Sequence, residues 1–212
     1  MRDIPVFTTQ NGVASLILKK IPYTKEAFVH VRDSLTCAEL LKECIDLCRM
    51  AGAEIVYATG HNSLTAYPLA CVVHRYRVAR LALPKTDAIA LPATMEQKDW
   101  WRKVYNQKME MVHAAAPLAL TDTEQLIHDG QAFCVCKDCL ILGIGVACDG
   151  MIQAVASLQP GAGRDVVLAL AATLATPDVT LHVAGTNSKA LRLYNDLGFL
   201  ECGALEHWYK IF

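Results

Sequence analysis

The sequence predicts a mixed α/β chain, and three observations point there. From Ala132 to Gln159 strand formers dominate, and the run is interrupted at Lys137-Asp138 and at Asp149-Gly150, the second a hairpin signal. After Gln159 the apolar period lengthens from two toward that of a helix and then alternates, which predicts helices interleaved with strands. Apolar residues make up 53% of the chain and charged residues 19%, enough apolar material to bury a substantial core.

The elements follow in order. Gly12 to Leu18 and Ala27 to Val31 read as strands, with Pro22-Tyr-Thr-Lys in the link between them. Thr36-Cys-Ala-Glu39 has the form of a capping box. The helix behind it carries Leu40, Leu41, Cys44, Leu47 and Cys48 on one face and ends at Gly52. Glu54 to Thr59 reads as a strand, Gly60-His-Asn-Ser-Leu as a turn, and a second helix is expected to run to about Arg80. Leu83-Pro-Lys-Thr-Asp-Ala and Ala90-Leu-Pro-Ala-Thr frame an internal boundary, which divides the chain into 1–82 and 83–212. Beyond it Met95 to Met111 is a helix bearing Trp100, Trp101, Val104, Tyr105 and Met109, and a shorter helix begins after Thr121-Asp-Thr.

The strands of Ala132 to Gln159 then form a three-stranded meander. Pro160-Gly-Ala-Gly163 breaks the last of them, and Arg164 to Leu174 is a helix. Val179 to Ala184 is a strand, Asn187 caps a helix from Ser188 to Leu197, Gly198 ends it, and Leu205 to Ile211 is the last strand. The C-terminal order is β-β-β-α-β-α-β. Strand, helix, strand and Gly-x-Asn-Ser occur twice, at Gly60-His-Asn62-Ser63 and Gly185-Thr-Asn187-Ser188, each with a helix expected after it. That echo suggests a pseudo-duplicated chain.

Composition narrows the partners. The net charge is −1, from 20 basic and 21 acidic residues spread along the chain, which favours neither nucleic acid nor an anionic membrane. Met1-Arg-Asp-Ile-Pro lacks the apolar core of a leader, and the longest strongly apolar run, Val166 to Ala175, is about half the ~20 residues of a membrane span. A soluble cytoplasmic protein is expected, with a homodimer left open. The nine cysteines sit mostly inside apolar patterns, so reduced, partly buried thiols are expected. Cys134-Val-Cys136-Lys-Asp-Cys139 lacks a second ligand pair at zinc-finger spacing and reads as hairpin filler, with Cys134 and Cys136 on one strand face; no metal is expected.

The chemistry concentrates in two stretches. Asn187-Ser-Lys-Ala190-Leu-Arg-Leu-Tyr194-Asn-Asp-Leu-Gly198-Phe199, preceded by a strand, closely resembles the last helix of the GNAT N-acetyltransferases, where the pattern reads Asn, Ala, Leu-Tyr, Gly-Phe. The resemblance implies a mostly antiparallel, twisted mixed sheet with a splayed parallel strand pair, flanked by helices. It implies acetyl-coenzyme A as acyl donor, Asn187 and Ala190 against the cofactor, and Tyr194 as both a cofactor contact and the donor of a proton to the departing thiolate. A phenol of pKa about 10 can protonate a thiolate of basicity about 8.5 as the bond breaks. The second stretch, Leu158-Gln-Pro-Gly161-Ala162-Gly163-Arg164-Asp165, lies where the resemblance places the diphosphate, on glycine-permitted amides at a helix start. It also implies an oxyanion-binding N–H near Leu158.

There are departures. The family pattern is Arg/Gln-x-x-Gly-x-Gly/Ala; Arg164-Asp-Val-Val167-Leu-Ala169 has Val at the glycine position, and Leu158 stands where an Arg or Gln would precede Gly161 and Gly163. The resemblance covers about 80 residues well, 90–132 in outline, and 1–82 only through the echo, as a degenerate copy without a catalytic site.

The resulting expectation is transfer of acetyl to the primary amine of a small molecule or peptide. The alternative is a catalytically silent GNAT fold that binds an acyl-coenzyme A or a protein. A dinucleotide domain is disfavoured, since Gly161-x-Gly163 lacks the third glycine and an acid about 20 positions on. Glu96, His113, Glu124 and His128 fall in the acceptor-side segment, and His182 on a strand, without singling out a general base.

Overall fold

Alternating strands and amphipathic helices account for most of the chain. The computed structural model describes residues 5–110, 112, 113 and 115–212. In chain order the elements are β1 (Val6–Thr9), β2 (Gly12–Ile17), α1 (Ile21–Thr24), β3 (Glu26–Ser34), α2 (Cys37–Met50), β4 (Ile55–Thr59) and β5 (Leu69–Ala79). They continue with β6 (Ile89–Pro92), α3 (Lys98–Met109), α4 (Leu120–His128), β7 (Ala132–Lys137), β8 (Leu140–Cys148) and β9 (Met151–Ser157). Last come α5 (Gly163–Thr173), β10 (Asp178–Ala184), α6 (Ser188–Asp196) and β11 (Leu200–Lys210). The final residue of the helix expected over Met95 to Met111 lies outside the described residues.

The chain folds as two compact units. The first comprises Met1–Val73, Val112–Pro117 and Ala204–Phe212, and the second His74–Met111 and Leu118–Gly203. The sequence suggests one cut between 82 and 83. The units instead divide within β5 and within β11, because the end of β11 pairs with β4, Tyr209 opposite Ala58 and Lys210 opposite Tyr57.

In the first unit β1, β2 and β3 are antiparallel neighbours, and β3 runs parallel to β4. Strand alternation turns Ala14, Leu16, Ala27, Val29, Val31, Val56 and Ala58 into one core, closed by Leu40, Leu41, Cys44 and Cys48 of α2. Gly52, at φ 95°, does lie just beyond α2. The capping box does not form: the Thr36 side chain makes no cap bond, and its amide donates instead to the Asn11 carbonyl at 3.2 Å.

The helix expected after Gly60 is absent. Asn62–Ala66 is a single 3₁₀ turn, opened by His61, whose Nδ1 accepts the Ser63 amide at 3.1 Å. Pro68 then stops any helical continuation, and β5 takes over. Its β-branched and aromatic residues, Val72, Val73, Tyr76 and Val78, suit a strand better than a helix, and tertiary pairing decides the matter. The echo therefore holds for strand, helix and strand but not for the element after Gly-x-Asn-Ser.

In the second unit β6, β7, β8 and β9 form an antiparallel meander, and β10 joins β9 in parallel. Two tight turns link the meander. Asp138 and Cys139 have φ 49° and 63°, and Asp149 and Gly150 have φ 49° and 76°, the paired positive values of hairpin turns that match strand twist. The register shift between Val135 and Cys136 is taken up on β8, where Leu142 is skipped, so β7 keeps its alternation and Cys134 and Cys136 stay on one strand face. Neither β1 nor β6 is signalled by the sequence; each is only four residues long and carries too short a pattern to read.

Helix α5 lies directly on this sheet, with Val166, Val167 and Leu170 fully buried. A Cβ at Gly145 would collide with Leu170 Cδ1, and one at Gly143 would stand 2.5 Å from the Ala156 carbonyl oxygen and 2.7 Å from Val166 Cγ2. The glycines are there because the helix is close. Trp101 of α3 is completely buried, its Nε1 donating to the Phe133 carbonyl at 3.1 Å, and Asn106 holds both the N–H and the C=O of Leu118 at 2.8 and 3.1 Å. Among the described residues no helix is long and apolar enough to cross a membrane.

Gly143→Ala should destabilise the protein by about 1–3 kcal/mol, since the backbone oxygen of Ala156 cannot rotate away as a side chain could. Thermal or urea denaturation checks this, and an unchanged midpoint would show that β8 and β9 move apart there without cost.

Candidate functional site

The backbone amides of β9 define the site. On one edge β9 pairs with β8 from Cys148 opposite Met151 to Gly143 opposite Ser157. The ladder continues one residue further, with the Leu158 amide donating to the Leu142 carbonyl at 2.8 Å. On the other edge the parallel pairing with β10 is confined to Thr180 opposite Met151 and Leu181 opposite Ile152. Beyond those pairs both strands continue, to Ser157 and to Ala184, without being registered to each other. This is an opened parallel pair.

The geometry corrects one expected donor. The Leu158 N–H is committed to β8, and the Gln159 N–H points to the same Leu142 carbonyl at 3.3 Å. In an antiparallel ladder, successive residues direct their N–H groups to opposite edges. Leu158 and Ala156 therefore face β8, and the amides of Val155 and Ser157 face the opened edge. Period-two reasoning from the meander could have found this, but only with the β8–β9 register in hand.

The turn after β9 is tied to itself. Ser157 Oγ donates to the Gln159 carbonyl at 2.7 Å, and the Ala162 amide donates to the same oxygen at 3.2 Å. Gly161 sits in open space at φ 80°, a conformation that costs a side-chain-bearing residue, so here glycine is a backbone requirement. Helix α5 starts at Gly163 with no side-chain cap, and the Val166 amide is the first to bond back, to Ala162 O at 3.0 Å. The amides of Gly163, Arg164 and Asp165 thus precede the first intrahelical bond and point out of the helix end. The Ala162 amide is engaged, so of the helix start it is the amides of Gly163, Arg164 and Asp165 that remain as donors. Starting the helix at Gly163 places Val167 inside it, completely buried, where it fills core rather than shaping a loop.

Helix α6 stands beside that turn: a Cβ on Gly163 would lie 3.3 Å from Leu193 Cδ2, and Ala190, Leu191 and Leu193 pack on the core that contains Ala162 and Val166. The two sequence motifs are thereby brought together. Asn187 caps the helix, its side-chain oxygen accepting the Ala190 amide at 3.1 Å. Such a cap is worth about 1 kcal/mol. Tyr194 is buried, with its ring 5.7 Å from that of Phe199, and burial pushes the phenol up to about 12. It therefore holds its proton throughout the neutral range and can act only as a donor there.

The suggested bases scatter. Lys98 Nζ holds Glu124 at 2.5 Å, His128 is exposed beside Asp129, and Glu96 lies in the exposed turn before α3. His182 is exposed on β10, opposite in phase to buried Leu181 and Val183. His113 belongs to the first unit instead. Its ring lies 5.1 Å from Phe28, 4.9 Å from Tyr57 and 5.9 Å from Trp208, with a buried Nε2 that has no hydrogen-bond partner. Next to it, buried Lys20 donates to the Val112 carbonyl at 2.8 Å and lies 4.0 Å from Glu26.

The first unit also contains a parallel pair, and it is shut. β3 and β4 stay registered from Glu26 opposite Ile55 through His30 opposite Thr59, over all of β4 and the first five of the nine residues of β3. That ladder lasts to the end of β4, whereas the ladder between β9 and β10 stops at Ile152 opposite Leu181 with both strands still running.

No family model and no curated protein matches the chain. Solved structures do. A GCN5-related N-acetyltransferase from Sphaerobacter thermophilus aligns with a TM-score of 0.57 at 13% identity, over 94% of this chain and 76% of that one. A putative acetyltransferase from Pyrococcus horikoshii gives 0.59 at 13% identity, over 95% and 70%. A tandem GNAT protein from the clavulanic acid biosynthesis pathway gives 0.53 at 12% identity, over 94% and 78%. At such identities the likeness is one of fold, and the chain has the GNAT fold across nearly all its length.

Burial lowers the His113 pKa, Lys20 adds to that, and Glu26 opposes it. A depressed imidazole contributes stability that is whole above its unfolded value of about 6.5 and is lost as pH falls through the folded one. Between about pH 7.5 and pH 5 the wild type should therefore lose more melting temperature than His113→Phe. Equal losses would remove His113 as the cause.

Proposed function

We propose that the second unit binds acetyl-coenzyme A along the opened edge of β9 and transfers its acetyl group to a primary amine. The single observation that carries this is the end of β9–β10 pairing at Ile152 and Leu181, which leaves strand amides unpaired beside an uncapped helix end. A slender pantetheine-like arm can take the place of the missing ladder. The Gly163, Arg164 and Asp165 amides, with the positive helix end behind them, suit a diphosphate.

In this reading the amine nitrogen attacks the thioester carbonyl, a C–N bond forms, and the carbonyl oxygen gains negative charge. The N–H groups of Val155 and Ser157 stabilise that charge because they already point at the edge and need no reorganisation. The C–S bond then breaks and the electron pair leaves on sulfur. Tyr194 supplies a proton to it, and the ammonium formed on the acceptor gives up its own proton to solvent. With a phenol raised by burial, that transfer depends on a thiolate made more basic by the same desolvated surroundings.

Calorimetry should detect coenzyme A binding at one site per chain, because the β3–β4 pair, unlike β9–β10, stays registered to the end of its second strand. No heat at millimolar ligand rejects the reading, and two equivalent sites would reject the assignment to β9–β10. With an acceptor found by screening amines and peptides for thiol release, Tyr194→Phe should keep coenzyme A affinity and lower turnover by about tenfold or more. Equal rates in the two proteins would leave Tyr194 as a packing residue.

A further inference from the structure

The first turn of α5 contains a charge that opposes its proposed use. Asp165 is the third residue of the helix, a first-turn position where a carboxylate is drawn to the positive helix end and its unpaired amides. Left to itself, that carboxylate would compete with a bound diphosphate for the amide donors and repel it as well. The carboxylate is held elsewhere. Thr86, in the segment before β6, donates its hydroxyl proton to Asp165 Oδ1 at 2.7 Å, and the same hydroxyl oxygen accepts the Ala88 amide at 3.1 Å. Both ends of the Thr86 hydroxyl are therefore committed, so its direction is set and Asp165 is met at a defined place. Burial of Ala88 in the same core as Val166 and Val167 of α5 keeps this segment at the helix end.

We propose that Thr86 is a positioning residue of the coenzyme A site: by binding the Asp165 carboxylate it keeps the amides of Gly163, Arg164 and Asp165 free for the diphosphate. This rests on the reading of the second unit given above. Nothing in the local sequence around Gly161 identifies Thr86, which lies 79 positions away from Asp165 along the chain.

The test is a set of coenzyme A affinities measured by calorimetry on the full chain, with melting temperature followed in parallel. Thr86→Val, which keeps the shape and removes the hydroxyl, should weaken binding about fivefold, the size of effect a carboxylate at a helix start exerts. Thr86→Ser should bind like wild type. Adding Asp165→Asn to Thr86→Val should restore the affinity, because the competing charge is gone, whereas a purely structural role for Thr86 would leave the double variant weak. Wild-type affinity in Thr86→Val, or a double variant no better than the single one, overturns the proposal. Absence of binding by the wild type itself overturns the underlying reading and this inference with it, and is distinguished by that one measurement.

Discussion

A backbone N–H inside a sheet needs an acceptor, and in β9 the acceptors on one edge run out. The ladder to β8 runs through Leu158 with one bulge at Gln153, while the ladder to β10 ends at Ile152 opposite Leu181. An edge opened in this way is costly unless solvent or a ligand fills it. The rest of the second unit can be understood as holding β9 rigid while leaving that edge open. Glycines 143 and 145 let α5 press against β8 and β9, and Val166, Val167 and Leu170 then lock the helix to the sheet through complete burial. The turn that follows β9 is drawn together on the Gln159 carbonyl and delivers the α5 start to the end of the opened edge.

The same constraint separates the two units structurally. Where β3 meets β4, pairing continues from Glu26 to His30, and the amides have their partners. After β4 comes one 3₁₀ turn rather than a helix with an Asn cap. The other sheet face of the first unit is filled by rings, Phe28, Tyr57, Trp208 and His113, around the buried Lys20 ammonium and Glu26. A repeated strand-helix-strand plan has thus been put to a packing use in one unit and left open in the other.

Anion recognition by a helix end depends on what does not cap it. Ala162 has no side-chain oxygen to offer, and Asp165, which could supply one, is bound by Thr86. Tyr194 shows the complementary principle. Its burial beside Phe199 raises the phenol, so the residue is both a core ring and a group that retains its proton.

Much of this could be read from residues alone. Helix α6 was legible because its signals are local: Asn187 accepts an amide three residues on, and Gly198 adopts positive φ just past the end. The meander was legible because Asp149-Gly150 specifies its own turn. The identity of β5 was not, since Val72 to Val78 form a strand only by pairing with distant chain, and neither was the role of Thr86 or the commitment of the Leu158 amide to Leu142. Local chemistry determined the Asn187 cap, the hairpin turns and the motif that resembles an acetyltransferase helix. The tertiary structure alone decided which β9 amides are free, because a ladder's register and its end point are properties of two strands together and neither strand encodes them by itself.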